Sequence, residues 1–295
     1  MSPKTILVTG ASGVLGWHLY RYFSGRDYTV IGNYGSHRPV LGGARFDHMP
    51  LEKPDRIAEY LDRQEFELVI HSAAVTSPDD CEKDPDHARK VNLDATEQIA
   101  RSLPDQTFLA YISTDLVFDG KKGNYSEKDE PNPVNYYGET KLAAEESVRK
   151  RSNSAVFRVA KLYSTEGPFR ASFESWMRDR FIQGLEIPLF EDQFRTPLFV
   201  GDAARALECL LETKAEKNLY HLGGPRRISR LEFGQTFAGI FGYDSSLIKP
   251  TRASDLGLVV RGQDCSLDST RFCEEFGFKR SSLEEGFLKM KNDSY

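Results

Sequence analysis

The stretch Thr9-Gly10-Ala11-Ser12-Gly13-Val14-Leu15-Gly16 restricts the fold of this chain more than any other feature. It follows the apolar run Ile6-Leu7-Val8 and leads into a helix-like segment, residues 17–23. Strand, glycine turn and helix in that order make a cradle for a diphosphate. Gly10 allows the tight turn, Gly13 lets backbone approach a pyrophosphate, and Gly16 lets the helix pack close to the sheet. The first N–H groups of the helix lack partners and carry partial positive charge, which suits an anion. Ser12, Val14 and Leu15 complete the loop. Dinucleotide binding is the expectation.

The following residues keep the same rhythm. Short apolar runs at 28–31, 68–70, 108–112 and 155–157 alternate with helix-like stretches at 55–63, 88–103 and 140–150. Buried strands alternating with amphipathic helices predict an α/β fold, a doubly wound parallel Rossmann sheet. After Tyr163 the rhythm breaks. Residues 166–184 read as helix with loops, 195–200 as an extended return, 202–212 as helix, 218–222 as a last short strand and 231–241 as an amphipathic helix. The reading is a dinucleotide-binding domain over 1–165, to which 196–222 return. A smaller, largely C-terminal substrate-binding domain takes 166–195 and 223–295. A chain of 295 residues has room for both.

Charge narrows the partners. The net charge is −5, which gives no reason to expect nucleic acid or an anionic membrane. No apolar run is long enough to cross a bilayer, and the N-terminal apolar stretch runs straight into the glycine loop without a cleavage site. Cys81, Cys209, Cys265 and Cys273 are scattered with no paired spacing, so neither a metal site nor a disulfide framework is expected. A cytoplasmic location with reduced thiols fits.

The second strand indicates the cofactor. A carboxylate at its end would hold the ribose 2′-hydroxyl of NAD. This strand ends in Ile31-Gly32-Asn33-Tyr34, and Gly35-Ser36-His37-Arg38 follows. With Asn33 in place of a carboxylate and Arg38 suited to a 2′-phosphate, NADP is expected, with NAD the alternative.

Tyr137-Gly138-Glu139-Thr140-Lys141 places a phenol and an amine four residues apart, on one helix face. A carbonyl reduced by hydride must also receive a proton. A phenol serves at neutral pH only if a neighbouring cation stabilises its phenolate. The strand ending Tyr111-Ile112-Ser113-Thr114-Asp115 brings hydroxyls to the carboxyl edge of the sheet, where Thr114 or Ser113 could polarise that carbonyl.

Glycine loop, strand-end hydroxyl and Tyr-x-x-x-Lys together resemble the extended short-chain dehydrogenases/reductases. Within them the chain is similar to the dTDP-4-dehydrorhamnose reductase group. The resemblance rests also on His71-Ser72-Ala73-Ala74, Val91-Asn92-Leu93, Ser113-Thr114-Asp115-Leu116-Val117-Phe118-Asp119-Gly120 and Asp192-Gln193-Phe194-Arg195-Thr196-Pro197. It implies reduction of a 4-keto sugar nucleotide, with Thr114, Tyr137 and Lys141 as the catalytic trio. It implies that Ser72, Ala73 and Ala74 line the cofactor, that Asp47, after the third strand, lies near adenine, and that Asn92 braces the central strands. Val75, Thr114, Asp115, Lys161 and Arg195 would meet the substrate. One departure stands out. Lys161, in Arg158-Val159-Ala160-Lys161-Leu162-Tyr163, takes the place of an aromatic residue in the group, which suits a substrate carrying an anion. The resemblance also allows a homodimer, and it extends to epimerases, to dehydratases and to the regulatory subunit of methionine adenosyltransferase.

Overall fold

Side chains one residue apart on a strand point to opposite faces, so a run of consecutive apolar residues needs a covered sheet on both sides. The computed structural model, which describes residues 4–164, 172–213, 218–252 and 259–292, shows that arrangement. Strands β1 (Lys4–Thr9), β2 (Tyr28–Tyr34), β3 (Arg45–His48), β4 (Leu68–His71), β5 (Phe108–Thr114), β6 (Ser154–Val159) and β7 (Asn218–Leu222) form one sheet in the order β7-β6-β5-β4-β1-β2-β3. Every pairing in it is parallel. All residues of β4, β5 and β6 are buried.

On one face Ile6, Val8, Ile70 and Phe157 meet Leu19 and Phe23 of the helix Val14–Ser24 and Leu207 of the helix Val200–Thr213. On the other, Leu7, Val69, Leu109 and Val156 meet Ile57, Ile99 and Val148. A third apolar cluster forms from later segments. Tyr163, Phe233 and Phe287 pack edge to face, with ring centroids 5.0–5.6 Å apart, beside Met177 and Phe181 of the helix Phe173–Ile182.

Three details differ from the sequence reading. Asp47 lies inside β3, opposite Asn33, and not after the strand. The helix expected over 88–103 begins at Pro85 and contains a π-helical turn, Lys90–Asp94, so Asn92 sits mid-helix. The helix expected from Asp202 starts at Val200. Of the segment read as helix with loops, residues 166–171 lie outside the described residues.

The helix Tyr136–Arg149 is fixed to the sheet by charge. Glu145 takes a two-pronged hydrogen bond from Arg158 of β6 (2.7 and 3.0 Å) and a third from the Ser113 hydroxyl of β5 (2.5 Å). Arg158 and Glu145 are 2% and 1% exposed, so neither charge can turn to water. Removing one partner strands the other. Glu145→Gln should therefore lower unfolding free energy by about 3–5 kcal/mol, as measured in urea. The charge-free pair Glu145→Leu with Arg158→Met should recover most of that loss; failure to do so would show that shape, and not charge balance, holds this helix.

Candidate functional site

The sheet order reverses between β1 and β4, and a crevice opens beyond their carboxyl ends. It is a cleft of about 800 Å³. Gly10, with φ +67°, turns the chain out of β1. A Cβ on Gly16 would come within 2.2 Å of the Gly10 carbonyl, so only glycine lets the helix start this close. Gly13 is the N-cap of that helix, which has no side-chain cap and no acidic residue in its first turn. Unpaired N–H groups beside an open cleft, with no carboxylate competing, fit a dinucleotide diphosphate.

Asn33, at the end of β2, supports this loop. Its Oδ1 accepts from Gly10 N (3.3 Å), and its Nδ2 donates to the carbonyls of Tyr34 and Met49. Across the crevice the chain leaving β4 is held as firmly. The Ser72 hydroxyl donates to the Thr9 carbonyl (2.7 Å), and the N–H groups of Ser72 and Ala73 donate to Thr9 Oγ1. Thr9 Oγ1 also meets His71 Nδ1 at 2.7 Å, and His71 Nε2 meets Thr96 at 2.9 Å. Burial, with Lys141 nearby, pushes His71 down to about 3, so it stays neutral. Asn92 clasps both backbone groups of Val75 and reaches Thr140.

The other wall carries the chemistry. Asn135 caps the helix Tyr136–Arg149 by accepting from Gly138 N (2.9 Å). Its first two turns present Tyr137 and Lys141, 7% and 2% exposed, to the cleft. Burial pushes the Tyr137 phenol well above its usual value, while a hydrogen bond to Thr114 pulls the other way. Burial lowers Lys141 to about 7 against the attraction of Glu145. The Lys141 amine lies 4.1 Å from the centre of the Tyr111 ring. The Thr114 hydroxyl donates to Asp115 Oδ1 (3.1 Å), and Asp115, itself buried, has its carboxyl raised by that burial.

Of the residues read from sequence, Gly10, Ser12, Gly13, Val14, Leu15 and Gly16 line the cleft, as do Asn33, Ser72, Ala73, Ala74 and Val75. Thr114, Asp115, Tyr137, Lys141, Lys161 and Arg195 line it too. Three do not. Arg38 is exposed, just beyond the cleft residues Gly35, Ser36 and His37. The Asp47 carboxylate is taken up by Arg45 (2.8 Å) and the Tyr60 hydroxyl (2.9 Å). Asn92 is fully buried and acts on the Val75 backbone. Phe173, Glu174, Arg230 and Arg261 line the cleft and were not read from sequence. They come from segments whose local patterns say helix or loop and nothing about direction. Among the described residues, no group of three or more His, Cys, Asp or Glu side chains is placed to hold a metal ion. No described helix is long and apolar enough to cross a membrane.

Residues 4–295 match the RmlD substrate binding domain family. The chain belongs to this family. Among its relatives is a probable low-salt glycan biosynthesis reductase, Agl14, of Haloferax volcanii, 32% identical over 96% of each chain. Another is the methionine adenosyltransferase 2 subunit beta of Xenopus tropicalis, 30% identical over 91% of this chain and 81% of the relative. A hypothetical dTDP-4-dehydrorhamnose reductase from Sulfolobus tokodaii superposes with a TM-score of 0.83 at 30% identity, over 96% of this chain and 98% of that one. The dTDP-4-dehydrorhamnose reductase of Bacillus anthracis, solved with NADP, shares the fold with a TM-score of 0.87 at 24% identity over 99% and 100%. The resemblance read from the motifs and the parallel α/β sheet are those of the RmlD family.

Arg195 joins the two walls. It donates to the carbonyls of Phe194, Gly262 and Gln263, and its Nε lies 3.4 Å from Asp115 Oδ2, an ion pair longer than a hydrogen bond. Its side chain is 8% exposed. Arg195→Ala should cost about 3–5 kcal/mol of stability in urea unfolding, since it strands buried carbonyls and a carboxyl together. A variant as stable as the parent would show that Arg195 serves a ligand alone.

Proposed function

We propose that this protein reduces a 4-keto sugar nucleotide, in the manner of the dTDP-4-dehydrorhamnose reductases, with NADPH as the preferred hydride source, NADH being the alternative. The observation that carries this reading is the meeting of Tyr137, Thr114 and Lys141 on one cleft with the uncapped glycine-loop helix. The names of the Haloferax and Sulfolobus relatives support the reaction class. The cofactor preference rests on Asn33, which stands where a carboxylate would favour NAD.

A nicotinamide dinucleotide, when bound along the glycine loop, supplies the hydride. The chain's own residues manage the proton. Because burial keeps Tyr137 protonated, it is a proton donor poised for the reducing direction. Thr114, whose hydroxyl is now directed to Asp115, can turn to the substrate oxygen and stabilise the charge that gathers there. Lys141, one helical turn from Tyr137, stabilises the phenolate left behind.

Tyr137→Phe should lower kcat about 10²–10⁴-fold while preserving NADPH binding, since it removes a proton donor and keeps the ring. Thr114→Val should lower it less. Turnover at the parental rate by Tyr137→Phe, on a substrate shown to be reduced, would refute this mechanism.

A second expectation concerns pH. A lysine lowered to about 7 loses its charge as pH rises through that value, and the phenolate loses its partner. The reduction rate should therefore decline above about pH 7. Lys141→Arg, which stays charged, should move that decline to higher pH if it retains activity. A flat profile from pH 6 to 9 would exclude this role. Fluorescence titration should also show NADPH binding tighter than NADH.

The Xenopus relative motivates a second reading, a regulatory subunit that binds the dinucleotide without turning over a sugar. The intact Tyr137, Thr114 and Lys141 favour the enzyme. NADPH oxidation measured across a panel of keto-sugar nucleotides decides between the two.

A further inference from the structure

Four basic side chains, Lys161, Arg195, Arg230 and Arg261, face the cleft beyond the catalytic trio, against the carboxyls of Asp115 and Glu174. They are not equally compensated. Arg195 is paired with Asp115, and Arg261 with Asp79. Among the described residues this leaves Lys161 and Arg230 with Glu174 between them.

Both cations pack on one ring: Lys161 Nζ lies 5.4 Å and Arg230 Cζ 5.0 Å from the centre of Phe173. Lys161 is 4.0 Å from Glu174 Oε1, too far for a hydrogen bond. Glu174 is 4% exposed, and that oxygen has no hydrogen-bond partner; neither does Arg230 Nε, also buried. Buried polar atoms without a partner leave this wall of the cleft short of polar compensation. Burial lowers both Lys161 and Arg230, the latter to about 10, with neighbouring cations adding to the effect. One more negative charge would relieve both.

Register locates this surplus. Thr114 pairs with Val159, the last residue of β6, and Lys161 follows two residues later. Lys161 therefore stands on the cleft wall that carries Thr114 and Tyr137, whereas Arg261 and Arg195 already have carboxylate partners. Resting on the reading of the protein as a sugar-nucleotide reductase, we propose that its substrate sugar carries a carboxylate, recognised by Lys161 and Arg230 with Glu174 setting their positions.

Binding of matched ligands tests this directly. The protein saturated with NADP⁺ is titrated calorimetrically with glucose and glucuronate linked to UDP, the same pair linked to dTDP, and the free nucleotide diphosphates. The glucuronate form should bind roughly 10–100-fold more tightly than its glucose counterpart, the worth of one or two charge-assisted hydrogen bonds. Lys161→Met should bring that ratio close to one, with unchanged circular dichroism. Equal binding of the two sugars by the parent protein overturns the proposal and leaves the reductase reading standing. An equal loss for all ligands in Lys161→Met, free diphosphates included, overturns it too, because the lysine would then serve the diphosphate. Absence of binding by every nucleotide sugar overturns the reductase reading and this proposal with it.

Discussion

A parallel sheet cannot run on in one direction from its first strand and also bind a ligand at its middle. Here β1 sends the chain one way to β2 and β3, and the next strand, β4, is laid on its other side. The loops leaving β1 and β4 must diverge, and the crevice between them is where everything else gathers. Thr9 and His71, register partners at the ends of these strands, exchange a side-chain hydrogen bond at its floor. Divergence above and bonding below give a cleft that is open and still fixed in width.

Desolvation then sets the chemistry of the wall. Tyr137 and Lys141 share a helix face, and both are driven toward their neutral forms by burial. For a phenol this means a retained proton; for an amine it means a charge poised near neutrality. The anchoring of their helix through Glu145, Arg158 and Ser113 costs the fold a buried ion pair. Such pairs are seldom the cheapest way to fill a core. What this one provides is position: the helix is tied by the same carboxylate to the strand bearing Thr114 and to the strand that leads on to Lys161.

Much of this was legible in the sequence, because the informative signals are local. A strand, a glycine turn and a helix lie within some twenty residues, and a Tyr and a Lys one turn apart need no tertiary knowledge to share a face. The strands could be read because their complete burial makes them continuous apolar runs. Arg230 shows where this stops. Ser229 and Glu232 form a capping box, a signal that a helix begins at Arg230. Nothing local says that its first turn meets Phe173, whose own helix starts far earlier in the chain. Asp47 fails for a related reason. Its nearness to the third strand was readable, but the claims of Arg45 and Tyr60 on its carboxylate depend on how β3 packs against the helix Pro54–Asp62.

The last strand of the sheet is also the last to be made. Each of the five residues of β7 pairs with β6, and the Leu222 carbonyl accepts from Ala160 N just beyond. Until the ribosome has released the chain past Leu222, β6 is an unprotected edge composed entirely of residues destined for burial. Edges of that kind recruit other chains. Long-range parallel pairing is also slow to form, which prolongs the exposure. The architecture that lets later segments roof the cleft thus delays completion of the sheet that forms its floor. A nascent or truncated form of this protein is, on this account, a sticky one, and its production in the cell favours chaperone cover during synthesis.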